Sequence, residues 1–174
     1  MKNRTFGDLL SSENKDYFYI MHLSYGMNKS ERKRLWKYAT DNNMIGLDLP
    51  DIVDQNWADL SESERQATPK NWIRQFDLFC REMRVGDYVI ILNGTRSVLG
   101  IAKITEPKHR YDPNLSGKKN SGFFDHIREN VEWVKKNRYD GAPLPQPLTF
   151  NNTIERVTPL TRSPRWKVLT AINL

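Results

Sequence analysis

The chain has 174 residues, of which 38% are hydrophobic and 28% are charged, and its formal net charge is +6. This length fits one domain with a substantial hydrophobic core, and no apolar run approaches the roughly 18 residues that a membrane-spanning helix needs. The stretch before Tyr17 lacks the apolar core of a signal peptide. A lone cysteine, Cys80, excludes an internal disulfide. These features predict a cytoplasmic protein, and its basic charge is compatible with a nucleic-acid partner.

The first part of the chain predicts a strand, a helix and a second strand. Asp16–Tyr25 is rich in aromatic and β-branched residues, which is typical of a central strand that is buried on both faces. Lys29–Asn43 carries apolar residues at helical spacing, with Ser30 as the predicted N-cap. Met44–Ile52 predicts a short strand that Pro50 ends.

The middle of the chain predicts helices that lead into a β-hairpin. A short helix is expected near Ser61–Arg65, and apolar residues recur at helical spacing over Asn71–Met83. Two apolar runs, 88–92 and 98–104, flank the polar turn "NGTRS" and predict the hairpin. A long polar loop is expected at 106–122, and the type of the last element is left open.

Strands and helices alternate along the chain, and several of the strands are short. This pattern predicts an α+β domain built round a compact, partly closed sheet. Residues 1–15 are predicted to be an N-terminal extension, and residues 16–174 a single domain.

The sequence carries none of the short motifs that are typical of a catalytic or cofactor site. It lacks a phosphate loop, a glycine-rich dinucleotide turn, a CxxC pair and a nucleophile elbow. His22, His109 and His126 have no metal-ligand spacing. We therefore expect a protein without metal, cofactor or enzymatic activity. A nuclease or hydrolase is the weakest alternative.

Aromatic and basic residues are interleaved along the chain. Aromatic faces can stack on bases while Lys and Arg hold the flanking phosphates, although core packing is the more common role of a tryptophan. Trp57 lies in polar surroundings and is the strongest candidate for a base contact. The five tryptophans are Trp36, Trp57, Trp72, Trp133 and Trp166.

An ordered set of segments resembles a known family. "MRVGDYVIILNG", "GIAKI" and the H-x-R-x-x-V-x-W run from His126 to Trp133 follow one another in the order of the EVE-like domains of the PUA superfamily, which are related to YTH domains. The chain is most similar over residues 16–160 to the N-terminal DNA-recognition domains of McrBC-type, modification-dependent restriction enzymes.

The resemblance implies a fold and a function. The fold is a curved mixed sheet that forms a small, partly closed β-barrel flanked by helices, with the second part of Phe123–Lys136 as a strand. The function is to read a modified base in DNA by flipping it into an aromatic-lined pocket. An associated nucleotide-hydrolysing motor and a nuclease subunit are implied partners. An RNA-binding PUA-like domain is the alternative, and N6-methyladenine, 5-methylcytosine and 5-hydroxymethylcytosine all stay open.

The site residues combine this resemblance with the aromatic and basic residues noted above. Leu47 stands where relatives carry the aromatic residue of an I-G-W-D segment, so Trp57 or another aromatic residue is expected to replace that wall. The predicted base pocket comprises Ser24, Tyr25, Leu47, Asp48, Trp57, Asn93, Tyr111 and Trp133. The predicted contacts to the nucleic-acid backbone are Lys29, Arg96, Lys103, Lys108, His109, Arg110, Lys118, Lys119 and Arg128.

Overall fold

Helices and strands are mixed along the chain, which confirms the predicted α+β class. The computed structural model describes residues 4–23, 28–47, 55–115, 124–150, 152–160 and 163–174. The helices are α1 (Phe6–Ser12), α2 (Lys29–Asp41), α3 (Glu62–Ala67), α4 (Lys70–Asp77) and α5 (Ser163–Thr170). The strands are β1 (Phe18–His22), β2 (Ile45–Leu47), β3 (Tyr88–Asn93), β4 (Ser97–Lys103), β5 (Arg110–Tyr111), β6 (His126–Arg128), β7 (Glu132–Lys136), β8 (Ala142–Pro143) and β9 (Ile154–Val157).

The strands form two sheets. The larger sheet is six-stranded, with the order β7-β4-β3-β1-β9 and with β8 paired to β4. Its β1 and β3 run parallel, while the other pairs are antiparallel, so the sheet is mixed. The smaller sheet has the order β2-β6-β5. Pairing among the described strands leaves these two sheets separate and closes no barrel.

The larger sheet has a core on each face, because successive strand residues point to opposite sides. From β1, Tyr19 and Met21 pack with Trp36 of α2 and Phe76 of α4. The intervening Phe18 and Ile20 pack with the side chains of α1 and α5. We call these faces the α2 side and the α5 side. No described helix is both long and apolar enough to cross a membrane.

The helix predicted at Lys29–Asn43 is confirmed as α2, but its N-cap is Asn28 and not Ser30. The Asn28 side chain accepts a hydrogen bond from the Glu31 amide at 3.0 Å, and the Glu31 carboxylate accepts one from the Asn28 amide at 3.0 Å. This reciprocal capping satisfies two amides that the first turn leaves without helical partners.

The helix predicted at Asn71–Met83 changes its winding part-way. It is α-helical to Asp77 and then forms a π-helical turn over Leu78–Glu82, in which the Met83 amide donates to the Leu78 carbonyl at 3.0 Å. The apolar spacing of the sequence does not distinguish the two windings. The turn matters for the site because its carbonyls face β6.

The structure also bears on four other predictions. The central hairpin is confirmed as β3 and β4, and the strand expected in the second part of Phe123–Lys136 is confirmed as β7, with β6 before it. The long loop at 106–122 was expected to lack regular structure, but it contains β5, which pairs with β6. Helix α1 lies within the predicted extension, and it buries Phe6, Leu9 and Leu10 against the α5 side.

Candidate functional site

A buried histidine lies at the centre of the smaller sheet. His126 is the register partner of Leu47 on β2 and of Tyr111 on β5, and it is 0% exposed. Its Nε2 accepts a hydrogen bond from the Trp57 amide at 3.1 Å. Since Nε2 is the acceptor, Nδ1 carries the proton and donates it to the Asp125 carboxylate at 2.7 Å. Both ring nitrogens therefore have fixed partners.

Aromatic rings enclose this histidine. Phe76 meets His126 edge-on with ring centres 5.1 Å apart, and the Tyr111 ring lies 5.0 Å away. Trp57 stacks on Phe76 at 4.9 Å and donates its indole N–H to the Asp77 carboxylate at 2.9 Å. The segment that follows residue 54 is thus fixed to β6 and α4 through Trp57.

His109 forms the outer wall of the same cluster. Its ring stacks on His126 at 5.6 Å, and its Nε2 lies 2.9 Å from the Asn56 Oδ1. Burial, and then the neighbouring His126 and Arg128, lower the pKa of His109 from 6.5 to about 4. His109 is therefore neutral at physiological pH and supplies a ring face and a hydrogen bond to Asn56.

Cys80, His109 and His126 have the residue types of a zinc site, and their ligand atoms lie within 4.8 Å of one another. A ligating histidine needs a free nitrogen lone pair and a ligating cysteine needs a thiolate. The lone pair of His126 is already engaged by the Trp57 amide, and burial raises the pKa of the Cys80 thiol. A metal ion bound here would have to displace the Trp57 bond and take Cys80 as a thiolate.

An apolar cavity lies where β1 and β2 end. It has room for about one water molecule, roughly 10 Å³. The Phe124 ring packs so closely on Gly46 that a Cβ at that position would lie 1.8 Å from it. Burial lowers the pKa of His22, so its imidazole is neutral at physiological pH. The walls are Met21, His22, Leu23, Trp36, Ala39, Ile45, Gly46, Ile91 and Phe124.

The comparison with protein families decides where the chain belongs. The model of one family, described as "Domain of unknown function (DUF8426)", matches residues 22–157. The chain belongs to the DUF8426 family. The DUF8426 match runs from the end of β1 to the end of β9. It includes His109, His126 and the residues that contact them, and nearly all the walls of the cavity. No curated protein and no solved structure matches the chain.

The predicted pocket residues fall into separate groups in this DUF8426 protein. Leu47, Trp57 and Tyr111 converge on His126, but Leu47 is only 2% exposed and Trp57 0% exposed. Both are therefore inside the protein and do not form an open wall. Ser24, Tyr25 and Asp48 lie outside the described residues, next to the ends of β1 and β2.

The remaining two pocket predictions lie on the α2 side of the larger sheet. The Trp133 ring packs edge-on against Trp36 at 5.2 Å. Asn93 donates to the Tyr139 carbonyl at 3.4 Å. Neither residue lines the cavity at the ends of β1 and β2.

The predicted backbone contacts also divide by environment. Lys103 pairs with Glu13 at 2.9 Å, and Arg110 pairs with Asp112 at 2.8 Å and Glu129 at 2.9 Å. Arg128 is 1% exposed and donates to backbone carbonyls, so it has no access to a phosphate. Lys29, Arg96 and Lys108 are exposed, while Lys118 and Lys119 lie outside the described residues.

The sequence analysis did not predict that the Asp125–His126 pair is buried and hydrogen-bonded to the Trp57 amide. Its signal was the H-x-R-x-x-V-x-W run, which was used to support a resemblance and not to assign a role to His126. The burial of Arg128 was also missed, because the same run gives no sign of which polar residue faces inward.

Proposed function

We propose that this DUF8426 protein is a DNA-recognition module that holds a modified base at the junction of its two sheets. One observation carries the proposal. The ends of β1 and β2, which the resemblance assigns to the base pocket, meet at a cavity walled by Trp36 and Phe124. Aromatic and apolar walls suit the flat, weakly polar face of a base.

The fold supports the same proposal at a coarser level. The larger sheet is mixed, with β1 parallel to β3, and the smaller sheet contains β2, as a mixed-sheet α+β domain of the proposed kind requires. We propose that the two sheets together correspond to the partly closed barrel of that superfamily.

The cavity must widen for a base to enter, because it now holds about one water molecule. Phe124 is the wall residue to move, since its ring fills the space above Gly46. Binding then has to offset both the movement of this ring and the unstacking of the base, which takes a few kcal/mol. A base that pairs weakly is favoured on these grounds.

We propose recognition without catalysis. The described cluster that most resembles catalytic machinery, Asp125–His126, is fully buried and binds the Trp57 amide. Cys80 is buried, and the raised pKa keeps its thiol protonated. A recognition module of this kind needs a separate motor and nuclease to act on DNA, and those are the partners we propose.

Equilibrium binding to matched duplexes tests the function. Fluorescein-labelled duplexes of one sequence carry N6-methyladenine, 5-methylcytosine, 5-hydroxymethylcytosine or no modification, and anisotropy is measured at about 150 mM salt. We expect one modified duplex to bind at least about tenfold more tightly than the unmodified one, which corresponds to about 1.4 kcal/mol. Equal, weak binding of all four duplexes contradicts the proposal.

Competition with RNA separates the proposal from its alternative. An RNA of the same sequence, with and without N6-methyladenine, competes for the protein bound to the preferred duplex. The DNA proposal predicts that RNA displaces the duplex only at a large excess. Displacement at equal concentration favours an RNA-binding domain instead.

A further inference from the structure

Five exposed basic residues, which we call the basic face, surround one region of the α2 side. They come from three chain segments: the first turns of α2, the end of β7 with the residues after it, and the turn between β3 and β4. All five are exposed, and none makes an ion pair with another described residue. The basic face consists of Lys29, Lys33, Arg96, Lys136 and Arg138.

Direct contacts join α2 to the segment after β7. The Arg32 Nε donates to the Tyr139 hydroxyl at 3.3 Å, and the Trp36 indole donates to the Asn137 carbonyl at 3.2 Å. At 3.6 residues per turn, Lys29 and Lys33 lie within about 60° of Trp36 round the helix axis. The two lysines therefore border the segment that carries Arg138.

The register of the larger sheet places Lys136 on the same side. Lys136 is the partner of Gly100 in the β4–β7 ladder, and a Cβ on Gly100 would lie 2.9 Å from the Trp36 ring. Directly paired residues of antiparallel strands point to one face of the sheet. Lys136 therefore projects on the face that α2 covers.

The turn between β3 and β4 completes the basic face. The Asn93 side chain donates to the Tyr139 carbonyl at 3.4 Å, and the Leu144 amide donates to the Arg96 carbonyl at 2.8 Å. Both contacts hold the turn that carries Arg96 against the 137–144 segment, which begins beside α2.

Several cations elsewhere on the described surface are paired with neighbouring carboxylates. Lys15 lies 3.4 Å from Asp87, and Lys103 lies 2.9 Å from Glu13. Arg110 has two carboxylate partners, as described above. The cations of the basic face have no carboxylate partner among the described residues, so their positive charge is available to attract an anionic partner outside the protein.

We infer that the basic face binds the phosphate backbone of the DNA whose base the protein reads. The inference rests on the proposed function, and it names the surface on which the duplex lies. Phosphate contacts position a duplex but carry no sequence information. The basic face is therefore expected to set affinity and salt dependence equally for modified and unmodified DNA.

Salt titration of charge-neutralised variants tests the inference. Binding of the unmodified and the preferred modified duplex is measured between 50 and 200 mM KCl for Lys33→Gln, Lys136→Gln and Arg138→Gln. The matched control is Lys167→Gln, because Lys167 is also an exposed helical lysine, on α5 at the opposite face. Lys33→Arg keeps the charge and checks that the side chain acts as a cation.

Each variant of the basic face should weaken both duplexes about three- to tenfold and reduce the salt slope by about 0.9. The preference for the modified base should stay unchanged, and Lys167→Gln and Lys33→Arg should bind like the wild type. The inference is overturned if the three variants bind like Lys167→Gln while the wild type still prefers modified DNA. If the variants lose affinity but the wild type has no preference, base reading fails, while the assignment of the phosphate backbone to the basic face holds. Absence of wild-type binding to every duplex overturns both.

Discussion

At the scale of single residues, the Asp125–His126 pair is a hydrogen-bonded polar pair that is buried in the interior. It links β6 to the Trp57 amide through two hydrogen bonds, of 2.7 and 3.1 Å. A buried polar group that loses its partner is destabilising because it cannot return to water. The pair is therefore expected to contribute strongly to stability.

Replacing the histidine tests this role. His126→Phe keeps an aromatic ring but leaves the Asp125 carboxylate and the Trp57 amide without their partner. We expect the free energy of unfolding to fall by about 3 kcal/mol in urea titrations. Asp140→Asn, at an exposed position, serves as the control and should change it by less than about 0.5 kcal/mol. An equal effect of the two substitutions would show that the pair is dispensable.

His109 predicts how stability depends on pH. Its pKa is about 4 in the folded protein and 6.5 ordinarily, so below pH 6.5 the unfolded chain binds a proton that the folded chain does not. The free energy of unfolding should therefore fall as the pH drops from 6.5 to 4, by about 2 kcal/mol from this group after allowance for its partial exposure.

His109→Gln isolates that contribution, because glutamine can still donate to Asn56 but does not titrate. The difference between the wild type and the variant is measured in urea at pH 7, 5.5 and 4. At each decrease in pH, we expect the free energy of unfolding to fall further for the wild type than for the variant. Parallel pH profiles for the two proteins would contradict the depressed pKa.

Arg128 joins two elements, because it lies on β6 and binds the carbonyls of the π-helical turn. Its guanidinium donates to the Phe79 carbonyl at 2.7 and 3.1 Å and to the Met83 carbonyl at 3.2 Å. The last carbonyls of a helix have no helical partners, so the arginine acts as an internal cap. Burial lowers the pKa of this arginine, although the group stays charged.

Arg128→Met should lower the free energy of unfolding by about 3–5 kcal/mol, since it leaves these buried carbonyls unsatisfied. Arg128→Lys should recover only part of that loss, because one ammonium group lacks the planar fork of donors. Arg138→Met, at an exposed arginine, is the matched control in chemical denaturation. A loss no larger than that of the control would remove the capping role.

The cavity depends on the close approach of β2 and Phe124. A Cβ on Gly46 would lie 1.8 Å from the Phe124 ring, so Gly46→Ala should destabilise the fold by about 2–3 kcal/mol. In a Phe124→Ala background the same change should be destabilising by less than about 1 kcal/mol. A double-mutant cycle in urea measures this coupling, and additive effects would contradict the contact.

Helices and strands could be predicted from the sequence where the pattern of neighbouring residues alone determines them. The hairpin β3–β4 follows from two apolar runs round a polar turn, and α2 follows from its apolar stripe. The N-cap of α2 was misplaced because Ser30 and Asn28 are both good caps, and the choice depends on the reach of the Asn28 side chain to Glu31. The strand β5 was missed because two residues are too few to show a period.

The site was harder to predict because it depends on contacts between distant parts of the chain. Trp57 was assigned to an open pocket for its polar sequence neighbours, but stacking on Phe76 and the bond to Asp77 bury it. Arg110 was assigned to phosphate, but Asp112 and Glu129 reach it in the fold. Conversely, Lys136 joins the basic face through sheet register and Arg138 through the contacts of the 137–139 segment with α2, neither of which the sequence displays.

At the scale of the whole molecule, the two faces of the larger sheet differ in what they carry. On the α5 side, α1 and α5 pack against the sheet. The α2 side carries the cavity and the basic face. A duplex on the basic face would lie beside the cavity, because Trp36 contributes both to the cavity wall and to the contact with the 137–139 segment.

Fluorescence of 2-aminopurine tests the central claim most directly. The fluorophore is placed next to the modified base in each of three duplexes, which contain N6-methyladenine, 5-methylcytosine or 5-hydroxymethylcytosine, and in an unmodified duplex. Because 2-aminopurine brightens when its neighbour leaves the stack, saturating protein should raise the fluorescence of one modified duplex several-fold and leave the unmodified duplex unchanged. Saturation of every duplex without any rise in fluorescence would contradict the account, since the protein would then bind DNA without extracting a base.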